Sequence, residues 1–283
     1  MKQNQSPMQY VGGKARLSKT LFELMPPPEK VSHVVETFGG GGAFMFQLPE
    51  AYQKRNTYCE IDGDLVNFFN VVRLYPQEFV ERCDLVPYSR ELWFDWKNHM
   101  RRDKLGEELE PMERALRFFY VLRAAFAGNI NGSGGSWAHT VNGSNWKPGN
   151  FRSAVEKVRF VAERFANVQI DNRSFQETIP HYDSPSTFQF EDPPYWESAE
   201  NTGYYMHDFT RADHTKLAEL CNAAQGYIML TYYAFDEMEK FYPTDKWHYF
   251  FVDTKTSCLN KVAETKNHDK QRTEVIITNY EVE

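Results

Sequence analysis

The sequence has few cysteines and no long apolar run. Its 283 residues include four cysteines, and no two of them have metal-binding or redox spacing, so reduced thiols are expected. No apolar stretch approaches the roughly 20 residues that cross a membrane, and residues 1–5 are too polar for a secretory signal. The eight histidines show no ligand spacing either. The sequence therefore predicts a cytoplasmic protein with no metal site and no membrane association.

The chain also lacks an excess of positive charge. It has 32 lysines and arginines against 39 acids, a net charge of -7, which taken alone argues against a phosphate-rich partner. The distribution is uneven, because basic residues outnumber acids from Arg114 to Arg173 and acids dominate from His181 to Asp213. A protein with one basic face can still bind nucleic acid. An aromatic content of 16% suits either base stacking or the filling of a core.

Strand-like and helix-like segments alternate in both end regions of the chain. Val31–Phe38 is typical of a strand that runs into four glycines, and the strand-like Thr57–Cys59 precedes a helical segment from Asp64 to Val72. Beyond residue 165 the pattern predicts strands at 168–170, 186–190, 226–232 and 275–278 and a helix at 210–221. This order predicts an α/β fold with a doubly wound, Rossmann-like parallel sheet.

The alternation is interrupted between residues 76 and 164. Charged helical stretches there flank a Gly/Ser/Asn-rich segment, Gly128–Asn150, which is too long for an ordinary connection between elements. We therefore predict a core domain made of residues 1–75 and 165–283, and an inserted, mainly helical lobe made of residues 76–164.

The glycine turn Gly39–Gly42 follows a strand and precedes a helix. Glycines let the backbone approach a ligand closely, although a tight turn would use them equally. Acids at Glu36, before the turn, and at Glu60, after the next strand, favour a ligand site, because nucleoside-binding α/β folds hold ribose hydroxyls with such an acid. The turn departs from the G-x-G-x-x-G pattern. We therefore expect an adenosine-containing ligand other than a dinucleotide.

A second motif, Asp192-Pro193-Pro194-Tyr195, directly follows a predicted strand. Two successive prolines fix φ and remove two N–H donors, which gives a stiff turn with outward carbonyls. A carboxylate beside a carbonyl makes a two-point acceptor, and the tyrosine adds a stacking face. This set suits a planar base that carries an amino group. The alternative is a rigid structural loop in which the tyrosine has no binding role. The position of the motif downstream of the glycine turn favours the binding site over this alternative.

Five segments, in this order along the chain, resemble the Dam-like family of adenine-N(6) DNA methyltransferases. They are Tyr10–Lys14, Glu36–Gly42, Glu60–Leu65, Asp192–Tyr195 and Glu274–Tyr280. The resemblance implies a site-specific, S-adenosylmethionine-dependent enzyme, with S-adenosylhomocysteine as its product. It would methylate the exocyclic amino group of an adenine flipped out of double-stranded DNA. The inserted lobe would then be the target-recognition region that binds the DNA.

The resemblance also implies roles for individual residues. The predicted catalytic residues are Asp192, Pro193, Pro194 and Tyr195. The predicted cofactor-binding residues are Tyr10, Lys14, Glu36, Phe38, Gly40, Gly42, Glu60 and Asp192. The predicted substrate-binding residues are Phe175, facing the base, with Arg123, Lys147 and Arg152 in the lobe. The chain departs from the family at Thr37, where Pro is usual, at Ser174, where an acid is usual, and after Gly128, where readers of GATC carry Arg.

Other functions on the same scaffold are open at this stage. An RNA adenine methyltransferase would use the same catalytic motif, and a non-catalytic DNA-binding protein on the same scaffold would be expected to lack Asp192, Tyr195 or the glycine turn. A restriction endonuclease of the same system could be a partner, and we expect a monomer or weak dimer. Five of the six tryptophans are expected to pack in the core or lobe, with Trp196 as the exception.

Overall fold

A computed structural model describes residues 6–8, 17–102, 109–126, 136–140, 146–196, 208–254 and 272–282. The strands in these ranges are β1 (His33–Glu36), β2 (Asn56–Cys59), β3 (Val168–Asp171), β4 (Thr187–Glu191), β5 (Tyr227–Tyr233), β6 (His248–Thr254) and β7 (Arg272–Thr278). The helices are α1 (Ser18–Glu23), α2 (Ala43–Gln47), α3 (Gly63–Leu74), α4 (Pro76–Leu85), α5 (Arg90–Arg102), α6 (Pro111–Arg123), α7 (Lys147–Glu156), α8 (Val158–Phe165), α9 (Phe175–Tyr182), α10 (Arg211–Ala223) and α11 (Met238–Phe241).

The seven strands form one sheet in the order β3-β2-β1-β4-β5-β7-β6. β1 pairs in parallel with β2 on one side and with β4 on the other, so the chain reverses direction across the sheet at β1. The register places Glu36 opposite Tyr58 of β2 and Phe190 of β4. A crevice opens at such a reversal, outside the carboxyl ends of the strands. The strand ends that carry both sequence motifs therefore meet at this one edge.

Each face of the sheet is covered by its own apolar core. Phe188 and Phe190 of β4 pack with α2 and the helices up to α8 on one face, whereas Leu230 and Tyr232 of β5 pack with α9, α10 and α11 on the other. Alternate residues of a strand point to opposite faces, and burial of both sets requires helices on both sides. The predicted doubly wound α/β sheet is thus confirmed.

The helices of residues 76–164 share the first of these cores. The ring of Phe68 on α3 stacks on Phe119 of α6, with 5.4 Å between centroids and 6° between planes. Trp93 of α5 is fully buried and donates a 2.9 Å hydrogen bond from Nε1 to the carbonyl of Val121. One continuous apolar cluster therefore runs from the sheet through α3 into α4–α8.

The structure contains several elements that the sequence analysis did not predict. Lys147–Asn150 begin α7 instead of ending a loop, with a proline in its first turn, where proline is favourable. Helices α4, α8 and α9 were not predicted. The strand β6 was not predicted either, and it pairs antiparallel with β7, which itself pairs antiparallel with β5. In the described part of the chain, no helix is both long and apolar enough to cross a membrane.

Candidate active site at the carboxyl edge of the sheet

The glycine turn after β1 forms a tight loop. Gly40 and Gly42 have φ of 47° and 71°, the left-handed region that side chains disfavour. The N–H of Gly42 donates a 2.7 Å hydrogen bond to the carbonyl of Gly39. The hydroxyl of Tyr58, on β2, donates a 2.7 Å hydrogen bond to the Gly40 carbonyl. The loop is therefore held against the end of β2, with main-chain groups close to the crevice.

Glu60, one residue beyond β2, lies beneath this loop and is 8% exposed. Its Oε2 accepts a 2.7 Å hydrogen bond from the Gly40 N–H, and its Oε1 accepts one of 2.9 Å from the Asp62 N–H. Burial raises the pKa of this carboxyl group to about 7, against the lowering effect of the two N–H donors. The amide of Asn172, after β3, donates 2.7 Å and 3.1 Å hydrogen bonds to the carbonyls of Glu60 and Ile61. The acid is thus fixed in place.

Glu36, the last residue of β1, is 3% exposed. Its Oε2 accepts a 3.2 Å hydrogen bond from the Met45 N–H in α2. Burial holds the pKa of Glu36 well above its usual range, and the nearby carboxylates of Asp192 and Glu60 raise it further. Three predicted site acids therefore converge at the reversal point of the sheet. Such a cluster favours a ligand that carries hydroxyl donors or positive charge.

Asp192 and Tyr195 lie just beyond β4 and are anchored by side chains of β5, which pairs with β4, and of β7, the next strand of the sheet. The hydroxyl of Thr231, buried on β5, donates a 2.6 Å hydrogen bond to Asp192 Oδ1. The Tyr195 hydroxyl donates a 2.9 Å hydrogen bond to Glu274 Oε2 on β7. The Tyr195 ring meets the Tyr233 ring edge-on, at 4.5 Å between centroids. Side chains of the sheet therefore fix both ends of the Asp-Pro-Pro-Tyr motif.

Glu191 is a buried acid that the sequence analysis did not identify. The Thr37 hydroxyl, next to the glycine loop, donates a 2.8 Å hydrogen bond to Glu191 Oε1. Burial raises the pKa of Glu191 to about 8. Thr37 stands where the resembling family has proline, which could not donate this bond. The pair links the glycine loop directly to the residue that precedes Asp192.

Phe175 lies beside the glycine loop. Its ring stacks on Phe38 at 5.7 Å between centroids and contacts Phe209 at 5.3 Å, and the residue is 7% exposed. Ser174, where the family usually has an acid, is the N-cap of α9 and donates a 2.9 Å hydrogen bond from Oγ to Glu177. Phe175 is predicted to face the target base, and that role stays a prediction; in the structure its ring packs against Phe38, a predicted cofactor residue.

The three basic residues predicted to bind substrate lie on α6 and α7. Arg123 is partly buried, and its Nη2 donates a 3.2 Å hydrogen bond to the carbonyl of Asn150, which ties α6 to α7. Burial lowers the pKa of Arg123 from its ordinary value. Lys147 is the first residue of α7. Arg152 is exposed, with its Nη1 4.0 Å from Asp84 Oδ1. Arg152 therefore presents its charge to solvent, and Arg123 uses part of its guanidinium to join two helices; the substrate-binding roles of all three basic residues stay predictions.

The remaining predicted residues fall into two groups. Tyr10 and Lys14 lie outside the described residues, and their roles stay predictions. Trp196 stacks on Phe235 at 4.8 Å, and the guanidinium of Arg211 lies 3.5 Å from the Trp196 ring centroid. Both faces or edges of the Trp196 ring that these contacts use are therefore occupied by side chains of the protein itself. Within the described ranges, no group of three His, Cys, Asp or Glu side chains is arranged to hold a metal ion.

Ile61 is a site candidate that the sequence analysis missed. It directly follows Glu60 and is 48% exposed at the carboxyl edge. An apolar side chain left exposed beside a buried acid can cover one face of a flat ligand. An isoleucine immediately after the strand-end acid is the sequence signal that could have identified it.

Comparisons of the sequence with known proteins identify its relatives. The family model of D12 class N6 adenine-specific DNA methyltransferases matches residues 10–261. The DNA adenine methylase of Haemophilus influenzae is 25% identical over 224 residues, covering 77% of this chain and 74% of its own length. A type II methyltransferase of Lactococcus lactis is 25% identical over 285 residues, covering 96% and 94%. The DNA adenine methylase of Escherichia coli K12 is 25% identical over 240 residues, covering 81% and 78%.

An α/β sheet that reverses at β1, with an Asp-Pro-Pro-Tyr motif at its carboxyl edge, is the arrangement expected of an adenine methyltransferase. Because the family model spans most of the chain, this protein belongs to the D12 class of N6 adenine-specific DNA methyltransferases. The predicted family is therefore confirmed.

Proposed function

We propose that this enzyme transfers a methyl group from S-adenosylmethionine to the exocyclic amino nitrogen of a specific adenine that is flipped out of duplex DNA. The observation that carries the proposal is the convergence of Glu36, Glu60 and Asp192 at the reversal point of the sheet. This cluster adjoins the glycine loop on one side and the Pro-Pro-Tyr segment on the other.

The residues at this edge fit the methyl donor. The Glu60 carboxyl group is held below the loop by one main-chain hydrogen bond to each of its oxygens. Two fixed acceptor oxygens suit the two hydroxyls of a ribose. Ile61 and Phe38 offer apolar surface for an adenine ring. Asp192 would supply negative charge for the cationic methionine part, and the positive charge of that part would favour the ionised form of the buried Glu36 carboxyl group. When bound, S-adenosylmethionine supplies a methyl group on a positively charged sulfur.

The target base would be held by the Asp-Pro-Pro-Tyr motif. An adenine inside a duplex is out of reach, so it is expected to leave the base stack. Its amino hydrogens would be accepted by the Asp192 carboxylate and the Pro193 carbonyl. Stacking on the Tyr195 ring would add roughly 1–3 kcal/mol.

Catalysis would follow from these contacts without a covalent enzyme intermediate. The lone pair of the adenine amino group is delocalised into the ring, which makes the nitrogen a poor nucleophile. Two acceptors on the amino hydrogens, Asp192 and Pro193, raise electron density on the nitrogen and favour a pyramidal geometry. Positioning and electrostatic stabilisation then provide most of the rate enhancement. The hydrogen bond from Thr231 fixes the Asp192 carboxylate for this role.

The inserted residues 76–164 are proposed to read the DNA sequence, with Lys147 and Arg152 on the phosphate backbone. A partner restriction endonuclease fits this proposal, and the alignment of 96% of the chain with a type II methyltransferase favours it. The enzyme would act in the cytoplasm of a prokaryote, or of a cell infected by a phage that encodes it.

Transfer of a radiolabelled methyl group tests the proposal. The purified full chain and labelled S-adenosylmethionine are incubated with duplex DNA or structured RNA, and long-read sequencing then maps methylated adenines. Label is expected in duplex DNA, at adenines within one recurring sequence. Asp192→Ala is expected to transfer label at least about a hundredfold more slowly, whereas Glu219→Gln, on the exposed side of α10, serves as a matched control with full activity. Label in RNA alone, or full activity of Asp192→Ala, would overturn the proposal.

A further inference from the structure

Glu274 is a buried acid in an apolar strand. It is 9% exposed, whereas the next three residues of β7, Val275–Ile277, are fully buried and apolar. In the register of the sheet, Glu274 lies opposite Tyr233 of β5 and Val252 of β6. A buried carboxyl group costs free energy unless it is hydrogen-bonded. Retaining one at this position calls for a role that a packed apolar side chain could not fill.

The Glu274 side chain reaches the catalytic motif from two strands away. Its Oε2 accepts the hydrogen bond from the Tyr195 hydroxyl, at 2.9 Å, across 79 residues of sequence. Tyr195 lies in an irregular segment after β4, so no strand fixes its ring. The ring is instead held at its hydroxyl end by Glu274 and along its side by Tyr233, whose plane is inclined at 76°. Side chains on β5 and β7, among them Tyr232, Tyr233 and Glu274, thus contact the Tyr195 ring and its hydroxyl.

We propose that Glu274 is a positioning residue for methyl transfer, which orients Tyr195 as the stacking face for the target adenine. This inference rests on the proposed function of Tyr195. A tyrosine ring rotates about two bonds, and the hydrogen bond at its far end restricts both. A phenol that donates to an acidic group also gains electron density in its ring. Such a ring stabilises the positive charge that the adenine gains as its amino nitrogen is methylated.

A double-mutant cycle tests the pairing of the two residues. Tyr195→Phe keeps the ring and removes only the hydroxyl, so it should lower kcat about tenfold, the size of effect expected for one hydrogen bond to an ionised acceptor. Glu274→Ala should cause a similar loss, with the KM for S-adenosylmethionine unchanged. In the Tyr195→Phe background, Glu274→Ala should then change kcat by less than about twofold. Additive losses would overturn the proposal, because they would show that Glu274 acts independently of Tyr195.

The conservative variant separates positioning from folding. Glu274→Gln keeps an oxygen acceptor of the same length and should recover most of the kcat that Glu274→Ala loses. If Glu274→Ala does not fold, Glu274→Gln and Tyr195→Phe complete the comparison, because neither creates a cavity on β7. Two results together would contradict the pairing. They are a Glu274→Gln variant that is as inactive as Tyr195→Ala, and a Tyr195→Phe variant that is fully active.

A binding measurement provides a readout that is independent of turnover. Once the wild-type target is mapped, a duplex with 2-aminopurine at the target position reports the stacking of the extruded base through its fluorescence. Wild-type protein should quench the extruded 2-aminopurine on Tyr195, and Glu274→Ala should leave it brighter with similar DNA affinity. Equal quenching by both proteins would count against the proposal. A wild-type protein that methylates no DNA would instead refute the proposed function, so the two failures are distinct.

Discussion

The main-chain N–H of Gly40 donates a 2.7 Å hydrogen bond to Oε2 of Glu60, across two neighbouring strand ends. The acid proposed to hold the ribose thus also supports the loop proposed to surround the donor. Because the same carboxyl group makes both contacts, a change in the charge of Glu60 should affect both the binding of the ribose and the glycine loop.

The affinity for the methyl donor is therefore expected to depend on pH. Burial raises the pKa of Glu60 to about 7. A neutral carboxylic acid accepts hydroxyl hydrogen bonds more weakly than a carboxylate does, so Kd for S-adenosylmethionine should rise as the pH falls from about 8 to about 6. Isothermal titration calorimetry at the two pH values measures this Kd. Glu60→Gln, which cannot ionise, should bind more weakly at pH 8 and lose the dependence; an unchanged dependence in that variant would exclude Glu60 as its source.

Protein stability should decline with rising pH because of Glu191. Its pKa is raised to about 8 by burial, from 4.5 in the absence of burial. Between these values the folded chain retains a proton that the unfolded chain has released, so the free energy of unfolding falls by about 1.4 kcal/mol per pH unit. Glu191→Gln keeps an acceptor for Thr37 and should remove this part of the decline. Melting temperatures at several pH values measure it, and parallel curves for the two proteins would contradict it.

Asp192 should be required for chemistry more than for donor binding. Its replacement by alanine removes a proposed acceptor of the adenine amino hydrogens and should lower kcat by about a hundredfold or more. The Kd for S-adenosylmethionine is expected to change far less. Single-turnover methyl transfer and calorimetry separate the two quantities. Loss of donor binding with normal turnover at saturation would reverse the assignment of this residue.

Phe175 should affect the donor more than the DNA. Since its ring stacks on Phe38 beside the glycine loop, Phe175→Leu should raise Kd for S-adenosylmethionine while leaving the affinity for duplex DNA nearly unchanged. Calorimetry and fluorescence anisotropy measure the two affinities. Weaker DNA binding with normal donor binding would instead support the prediction that this ring faces the target base.

Arg152 should contribute to DNA affinity through its charge alone. It is 71% exposed on α7, and loss of one phosphate contact should reduce the salt slope of binding by about 1, with kcat unchanged at saturating DNA. Lys216→Ala removes an exposed charge from α10, on the other face of the sheet, and is the control. Equal salt slopes for the wild type and Arg152→Ala would show that Arg152 makes no phosphate contact.

The sequence predicts the strand ends and the two motifs well, because both depend on local patterns. Buried strands are short apolar runs, and Gly39–Gly42 and Pro193-Pro194 mark where they end. The prediction fails where local signals conflict. Helix α9 contains Pro180, which normally ends a helix, although Ser174 and Glu177 form a readable capping box. Strand β6 lies at the edge of the sheet and lacks a strict alternation of polar and apolar residues.

Contacts between distant residues were beyond any local pattern. Thr37 and Glu191 are 154 residues apart in the chain, and Tyr195 and Glu274 are 79 apart. Each pair forms only because the order of strands in the sheet brings their ends together. An isolated acid in an apolar strand, as at Glu191 or Glu274, signals that a partner exists but does not identify it.

The stacking of Phe68 on Phe119 limits how the specificity of this enzyme could be re-engineered. The helices proposed to read DNA cannot be exchanged as an independent unit, because their removal would expose the aromatic residues of α3 to water. A graft of residues 76–164 from a relative would have to bring matching rings for α3, or replace α3 as well. Retargeting by changes in the connections between these helices would leave that shared packing undisturbed.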